Sequence, residues 1–274
     1  MTLSSDQAAD YLKALQFQEG DGASHYRRVF ALETELTEKY GRDGLAIRLQ
    51  NKGYDPQGVF ALAEAPEGCP WRGLAGLPPD EAVMANFAPL AGRLPKLVGA
   101  LKERCSALYA MRWQERWYLL YILRKSLYDG QPYLEIAAGG APELEPKLPQ
   151  KLLDLNWRLP EALGQFYAVH NGFGNLSQSY EIWWAPCIHP VNRLNTLSEV
   201  LDPIKDLKAV DYDSRDLLEI CPHGDGDGEY FHRRKVNDPN PKIRYWCHEG
   251  WWLGESKKAF FAFVDEQFSQ IDEE

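Results

Sequence analysis

Three segments rich in aromatic and aliphatic residues follow one another with very little chain between them: Leu108–Trp113, Arg116–Lys125 and Pro132–Ala137. Gln114 and Glu115 separate the first two, and the turn-prone stretch Tyr128 to Gln131 separates the second from the third. Connections this short lead a strand straight back beside its neighbour, so a three-stranded meander is expected here. Any fold for the chain must accommodate that sheet. The hundred residues before it carry helical signals instead. Ser5 and Asp6 are placed to cap a helix through Leu15, and Tyr26, Val29, Phe30, Leu32, Leu36 and Tyr40 recur at helical spacing until Gly41. Shorter helices are expected over Asp43–Asn51, Pro56–Ala65, Pro79–Leu90 and Pro95–Cys105. After the meander, the stretch from Gly139 to Pro149 holds two glycines and three prolines, the composition of a linker. It suggests two units, residues 1–140 and 150–274.

The second unit alternates differently. A helix over Glu161–His170 should stop at Asn171 and Gly172, where a left-handed cap is easily formed. Strands are expected at Tyr180–Trp184, Asp216–Pro222, Glu229–Arg234 and Lys242–His248, with a helix at Thr196–Leu201. A glycine-rich turn, His223 to Gly228, joins the second and third strands. Ser256–Phe268 closes the series as an amphipathic helix with Phe260, Phe261, Val264 and Phe268 on one side. The class expected from these elements is α+β: an antiparallel or mixed sheet flanked by helices, preceded by a mainly helical region that ends in a small meander.

Several of these elements, in this order, resemble the SUKH superfamily, which includes yeast regulators of cell-wall synthesis and many bacterial immunity proteins. The opening pattern is Leu159-Pro160, Leu163, Phe166-Tyr167 and His170-Asn171-Gly172. The paired strands around the Gly/Asp turn run from Leu217 to Phe231, the later strand Ile243–Glu249 ends in His248-Glu249, and Ala259–Val264 resembles the final helix. The similarity spans about 110 of the 274 residues. A 150-residue extension precedes it, and Asp238 to Pro241 lengthens the connection before the last strand. The resemblance implies a toxin-binding immunity protein that acts without turnover or cofactor. It equally admits a regulatory scaffold of the kind found among the superfamily's eukaryotic members.

Charge points the same way. The formal net charge is −10, and residues 151–274 carry 21 acidic and 13 basic side chains, a net of −8. Such a surface repels nucleic acid and attracts basic partners. Five dispersed cysteines fit reduced thiols in a cytoplasm, the first residues lack the basic and apolar regions of an export signal, and no apolar run is long enough to span a membrane.

Cys187 with His189, Cys221 with His223, His232, and Cys247 with His248 supply zinc-type ligands, but the Cys-x₂₋₄-Cys or His-x₃₋₅-His spacing of a closed site is missing, so buried structural thiols are expected and no metal. A metal-dependent enzyme is the weakest alternative. Asp225, Asp227 and Glu229 lack the full ligand pattern of a calcium loop and fit a tight turn. No nucleophile elbow, phosphate loop, His-Glu-x-x-His or dinucleotide fingerprint occurs, so catalysis is not expected. Adjacent tryptophans are the remaining signal, since neighbours on a strand face opposite ways. The expected contact set for a basic, nuclease-type toxin is Asp225, Asp227, Glu229 and Tyr230, with Trp183, Trp251 and Trp252 as aromatic anchors.

Overall fold

The computed structural model describes residues 3–15, 22–54, 56–127, 129–176, 187–201, 213–223, 226–250, 252–254 and 258–269. Helix α1 (Ser5–Leu15) begins on a capping box one residue earlier than expected: Ser4 Oγ accepts from the Gln7 amide, and Gln7 Oε1 accepts from the Ser4 amide. Helices α2 (Gly22–Tyr40) and α3 (Arg42–Asn51) form a hairpin about Gly41, whose φ is +56°. They cross so closely that a Cβ on Gly44 would stand 2.0 Å from the Leu36 carbonyl oxygen. Only glycine fits there.

Residues 56–65 form no α-helix. Gly58–Ala61 is strand β1, followed by a single 3₁₀ turn at Leu62–Glu64, because Val59 and Phe60 pair with the meander: Gly58 lies opposite Arg112 and Ala61 opposite Tyr109. Pairing with a formed sheet overrides a weak local helical preference. Helices α4 (Pro79–Phe87) and α5 (Pro95–Arg104) lead into the meander itself, β2 (Cys105–Trp113), β3 (Arg116–Ser126) and β4 (Pro132–Gly140). After the short helices α6 (Gln150–Asp154) and α7 (Glu161–Tyr167), strands β5 (Phe173–Asn175) and β6 (Cys187–Ile188) extend the same sheet. The order is β1-β2-β3-β4-β5-β6, antiparallel throughout. Next come β7 (Asn195–Thr196), α8 (Leu197–Leu201), β8 (Leu217–Pro222), β9 (Gly228–His232), β10 (Ile243–Cys247), β11 (Trp252–Leu253) and α9 (Phe260–Gln267). These strands make a second antiparallel sheet ordered β11-β10-β9-β8-β7. The expected strand Tyr180–Trp184 lies outside the described residues. The class is α+β, as the sequence implies.

The glycine- and proline-rich stretch is no boundary between two cores. Gly139 and Gly140 belong to β4, and the amides of Gly140, Ala141 and Glu143 donate to the carbonyls of Gly172, Trp117 and Tyr167. One hydrophobic core runs from Leu62 through Trp157 to Phe268, and β5 and β6 of the second half complete the sheet of the first. The physical reason is local. The His170 ring packs against β4 where a Cβ on Gly139 would come within 2.2 Å of it. Those glycines mark a close approach of two segments.

A longer-range tie holds the halves together. Asp265 on α9 accepts hydrogen bonds from the Lys96 and Leu97 amides at 2.8 and 2.9 Å, satisfying the free first-turn donors of α5. The lengthened loop at Asp238 to Pro241 also has a role: Pro239 O accepts from the Ala162 amide in α7, and Asn240 Oδ1 accepts from Phe261 in α9.

The six-stranded sheet is covered on both faces. Leu119, Tyr121 and Leu123 join the large core with α4 and α5, while Leu120 and Ile122 face Leu45 and Leu49 of α3. Within the α2–α3 layer a charged cluster is buried. Arg48, 0% exposed, donates to Glu33 Oε2 at 3.1 Å, Thr37 Oγ1 at 2.8 Å and the Leu134 carbonyl of β4 at 2.6 Å. Lys52 meets the other Glu33 oxygen at 2.8 Å. Burial pulls the Arg48 pKa down and Glu33 opposes the shift. Removing one member of a buried ion cluster strands the others. Glu33→Ala is therefore expected to cost about 3 kcal/mol in urea denaturation, whereas Arg42→Ala, at an exposed ion pair with Glu64, should cost less than about 1 kcal/mol. Equal losses for the two variants would refute the burial argument.

Candidate functional site

The turn between β8 and β9 brings together part of the expected contact set. Asp227 Oδ1 accepts from the His248 amide at 2.6 Å and faces His248 Nδ1 at 2.8 Å, and its other oxygen accepts from the Tyr245 hydroxyl. Burial by itself would raise this carboxyl, but the Tyr245 and His248 donors outweigh it and hold the pKa below the ordinary value. Asp227 thus ties the turn to the end of β10. The Tyr245 ring lies 5.6 Å from His223 and 5.8 Å, edge-on, from Trp252. Glu229 is partly buried across from both Cys221 on β8 and Tyr245 on β10. Burial pushes its carboxyl up to about 7, with Lys258 opposing.

Tyr230 departs from expectation. It is 0% exposed and its hydroxyl donates to Glu219 Oε1 at 2.9 Å, within the small core of Leu197, Leu217 and Trp246. Strand alternation sends Tyr230 inward when Glu229 takes the other face, so its side chain supports the sheet. Trp252 does reach the surface, 49% exposed on the outermost strand β11. Asp225, Trp183 and Trp251 lie outside the described residues.

Four of the five thiols are buried, and Cys247 is partly exposed. Cys187 and Cys221 are buried, and desolvation raises the first to about 12 and the second well above its ordinary value. His189 turns to Glu219, Nε2 to Oε2 3.3 Å. Among the described residues no group of three His, Cys, Asp or Glu side chains is placed to hold a metal ion.

Residue reasoning missed a second place altogether. On the α2–α3 side of the six-stranded sheet, the large side chains stop at the β4–β5 end, where Ala138, Gly140 and Gly174 form the floor of a pocket. A Cβ on Gly140 would stand 2.2 Å from the Asn171 carbonyl oxygen. Tyr54, Trp113 and Tyr118 form one wall, with ring centroids 5.2 and 5.9 Å apart in sequence along it. Arg116 and Arg193 stand at the rim, and Arg116 Nη1 donates to Asn192 Oδ1 at 2.7 Å. The space is about 950 Å³ counted out to the open mouth. The lone sequence signal was Gly172-Phe173-Gly174 opposite Gly139-Gly140, small residues that only strand register places side by side.

Behind the floor sits His170, wholly buried. Its Nδ1 meets the Gly140 carbonyl at 3.1 Å and its Nε2 meets the Tyr121 hydroxyl at 2.7 Å and Asn86 Nδ2 at 2.9 Å. Burial lowers its pKa to about 4, with the Gly140 carbonyl opposing.

Two groups therefore give stability opposite pH slopes. The unfolded His170 imidazole takes up a proton near pH 6.5 while the folded one resists until about 4, so its contribution is lost as pH falls through that window. Folded Glu229 keeps a proton that the unfolded chain releases near 4.5, so stability falls as pH rises from there to about 7. Glu229→Gln is expected to match the parent near pH 4.5 and exceed it by roughly 1–2 kcal/mol at pH 8, with partial exposure limiting the gain. In that background, stability should still decline from pH 6.5 to 5, where His170 titrates. Urea melts across pH measure both, and a Glu229→Gln curve parallel to the parent's refutes the first.

Compared with protein-family profiles, with curated proteins and with solved structures, the chain finds no match.

Proposed function

We propose that this chain is a binding protein that neutralises a bacterial toxin by covering its active site, using the outer edge of the five-stranded sheet. The immunity role is the one to which the SUKH-like pattern of residues 159–268 leads. The observation that carries the binding surface is Trp252. A half-exposed indole on an edge strand, braced edge-on by Tyr245, is a rigid apolar anchor whose burial by a partner would be strongly favourable. The exposed carboxylate of Glu249 and that of Asp227 lie beside it, after β10 and in the β8–β9 turn. With the net charge of −8 over residues 151–274, they favour a basic partner and fast, salt-sensitive association. Nucleic acid is disfavoured by the same charge, and a toxin acting inside the cell would place the encounter in the cytoplasm. Among the described residues, no helix is long and apolar enough to cross a membrane.

The test is co-expression with the product of the gene directly upstream. That product should arrest growth alone and bind this chain tightly. Trp252→Ala should weaken binding roughly tenfold or more, and raising salt from 50 to 500 mM should slow association. If no neighbouring gene product is toxic, or none binds, the immunity role fails. Full affinity in Trp252→Ala would instead sink the proposed surface.

A further inference from the structure

The pocket on the six-stranded sheet has a chemical character at odds with the rest of the chain. Acidic residues outnumber basic ones 40 to 30 overall, yet among the described residues the lining holds two arginines and no Asp or Glu. Its other polar groups include the amides of Gln114, Asn171 and Asn175, which donate hydrogen bonds without adding negative charge. The opposite wall is aromatic and the floor nearly flat, because Ala138, Gly140 and Gly174 withhold side chains. A flat floor beside an aromatic wall accepts a planar ring, and guanidinium groups at the rim match a carboxylate in fork geometry.

The β2–β3 turn places Gln114 and Glu115 at φ +48° and +61°, left-handed conformations that glycine or asparagine would adopt more cheaply. Glu115 is held there by Arg112 and Gln57, outside the pocket, while its neighbours Gln114 and Arg116 line it. Side chains that glycine could not supply are thus kept in a strained turn where they face the cavity. On the far side, Asn171 Oδ1 accepts from the Val191 amide at 2.8 Å, fixing the segment that carries Asn192 and Arg193. Both rims are braced before any ligand arrives.

We infer that this pocket is a binding site for a small planar aromatic acid, its ring lying on Ala138, Gly140 and Gly174 against Trp113 and Tyr118, its carboxylate held by Arg116 and Arg193. The site is separate from the Trp252 edge, so it stands or falls independently of the proposed toxin partner. The probes are 2-naphthoate and its uncharged counterpart 2-naphthamide, titrated into the full chain and followed by calorimetry and tryptophan fluorescence. Naphthoate is expected to bind one-to-one and change the emission, with the amide at least tenfold weaker. Arg193→Gln and Arg116→Gln should each weaken naphthoate about tenfold, while the exposed Arg234→Gln should leave it unchanged. Arg116 is exposed, so its variant keeps the test valid even if Arg193→Gln disturbs folding. Absence of saturable naphthoate binding up to 5 mM, equal affinity for the amide, or wild-type affinity in Arg116→Gln would each overturn the inference.

Discussion

Strand β3 is buried on both faces, and most of the molecule is arranged to keep it so. Leu119, Tyr121 and Leu123 need one apolar layer, and Leu120 and Ile122 need another on the opposite side. The α4–α5 pair with the C-terminal helices supplies the first, and the α2–α3 hairpin supplies the second. A strand with two dry faces leaves no room for an independent N-terminal sheet with one wet side. The second half of the chain is therefore structural for the first: α9 caps α5 through Asp265, and β5 and β6 lengthen the sheet.

The same arrangement explains why the polar groups cluster where they do. Arg48 and Glu33 are buried because α2 and α3 must both lie on β4, and the Leu134 carbonyl is one of the guanidinium's acceptors. His170 is buried because α7 must turn into β5 directly behind Gly139 and Gly140. Each network satisfies donors that close packing would otherwise leave stranded. At the end of the sheet where α2 and α3 no longer reach, the small residues of β4 and β5 leave a concavity instead of a core.

The two surfaces assigned to binding differ in origin. The Trp252 edge belongs to a framework of turns and strands, in which Asp227, Tyr245 and His248 brace each other and an aromatic ring projects outward. The pocket arises from register alone: residues distant in sequence, Trp113, Gly140, Gly174 and Arg193, meet only because β2, β3, β4, β5 and β6 are neighbours in order.

Local chemistry was enough to locate α1 through α5, the meander, the β8–β9 turn and the closing helix, because helical spacing, strand runs and glycine stops act over a few residues. It was also enough to suggest that Asp227 sits in a tight turn and that Cys187 and Cys221 are buried thiols. It misassigned residues 56–65, whose strand exists only through pairing with β2, and it took Gly139 to Pro149 for a linker, since two glycines look alike whether they loosen a chain or admit a histidine ring. Tyr230 is enclosed because Leu197 of α8 and Leu253 of β11 cover its side of the sheet, and no local pattern contains that. The amino acids set the elements and their order; long-range packing decided that the halves share one core, that Tyr230 is buried in a separate smaller one, and that a pocket opens at the end of β4.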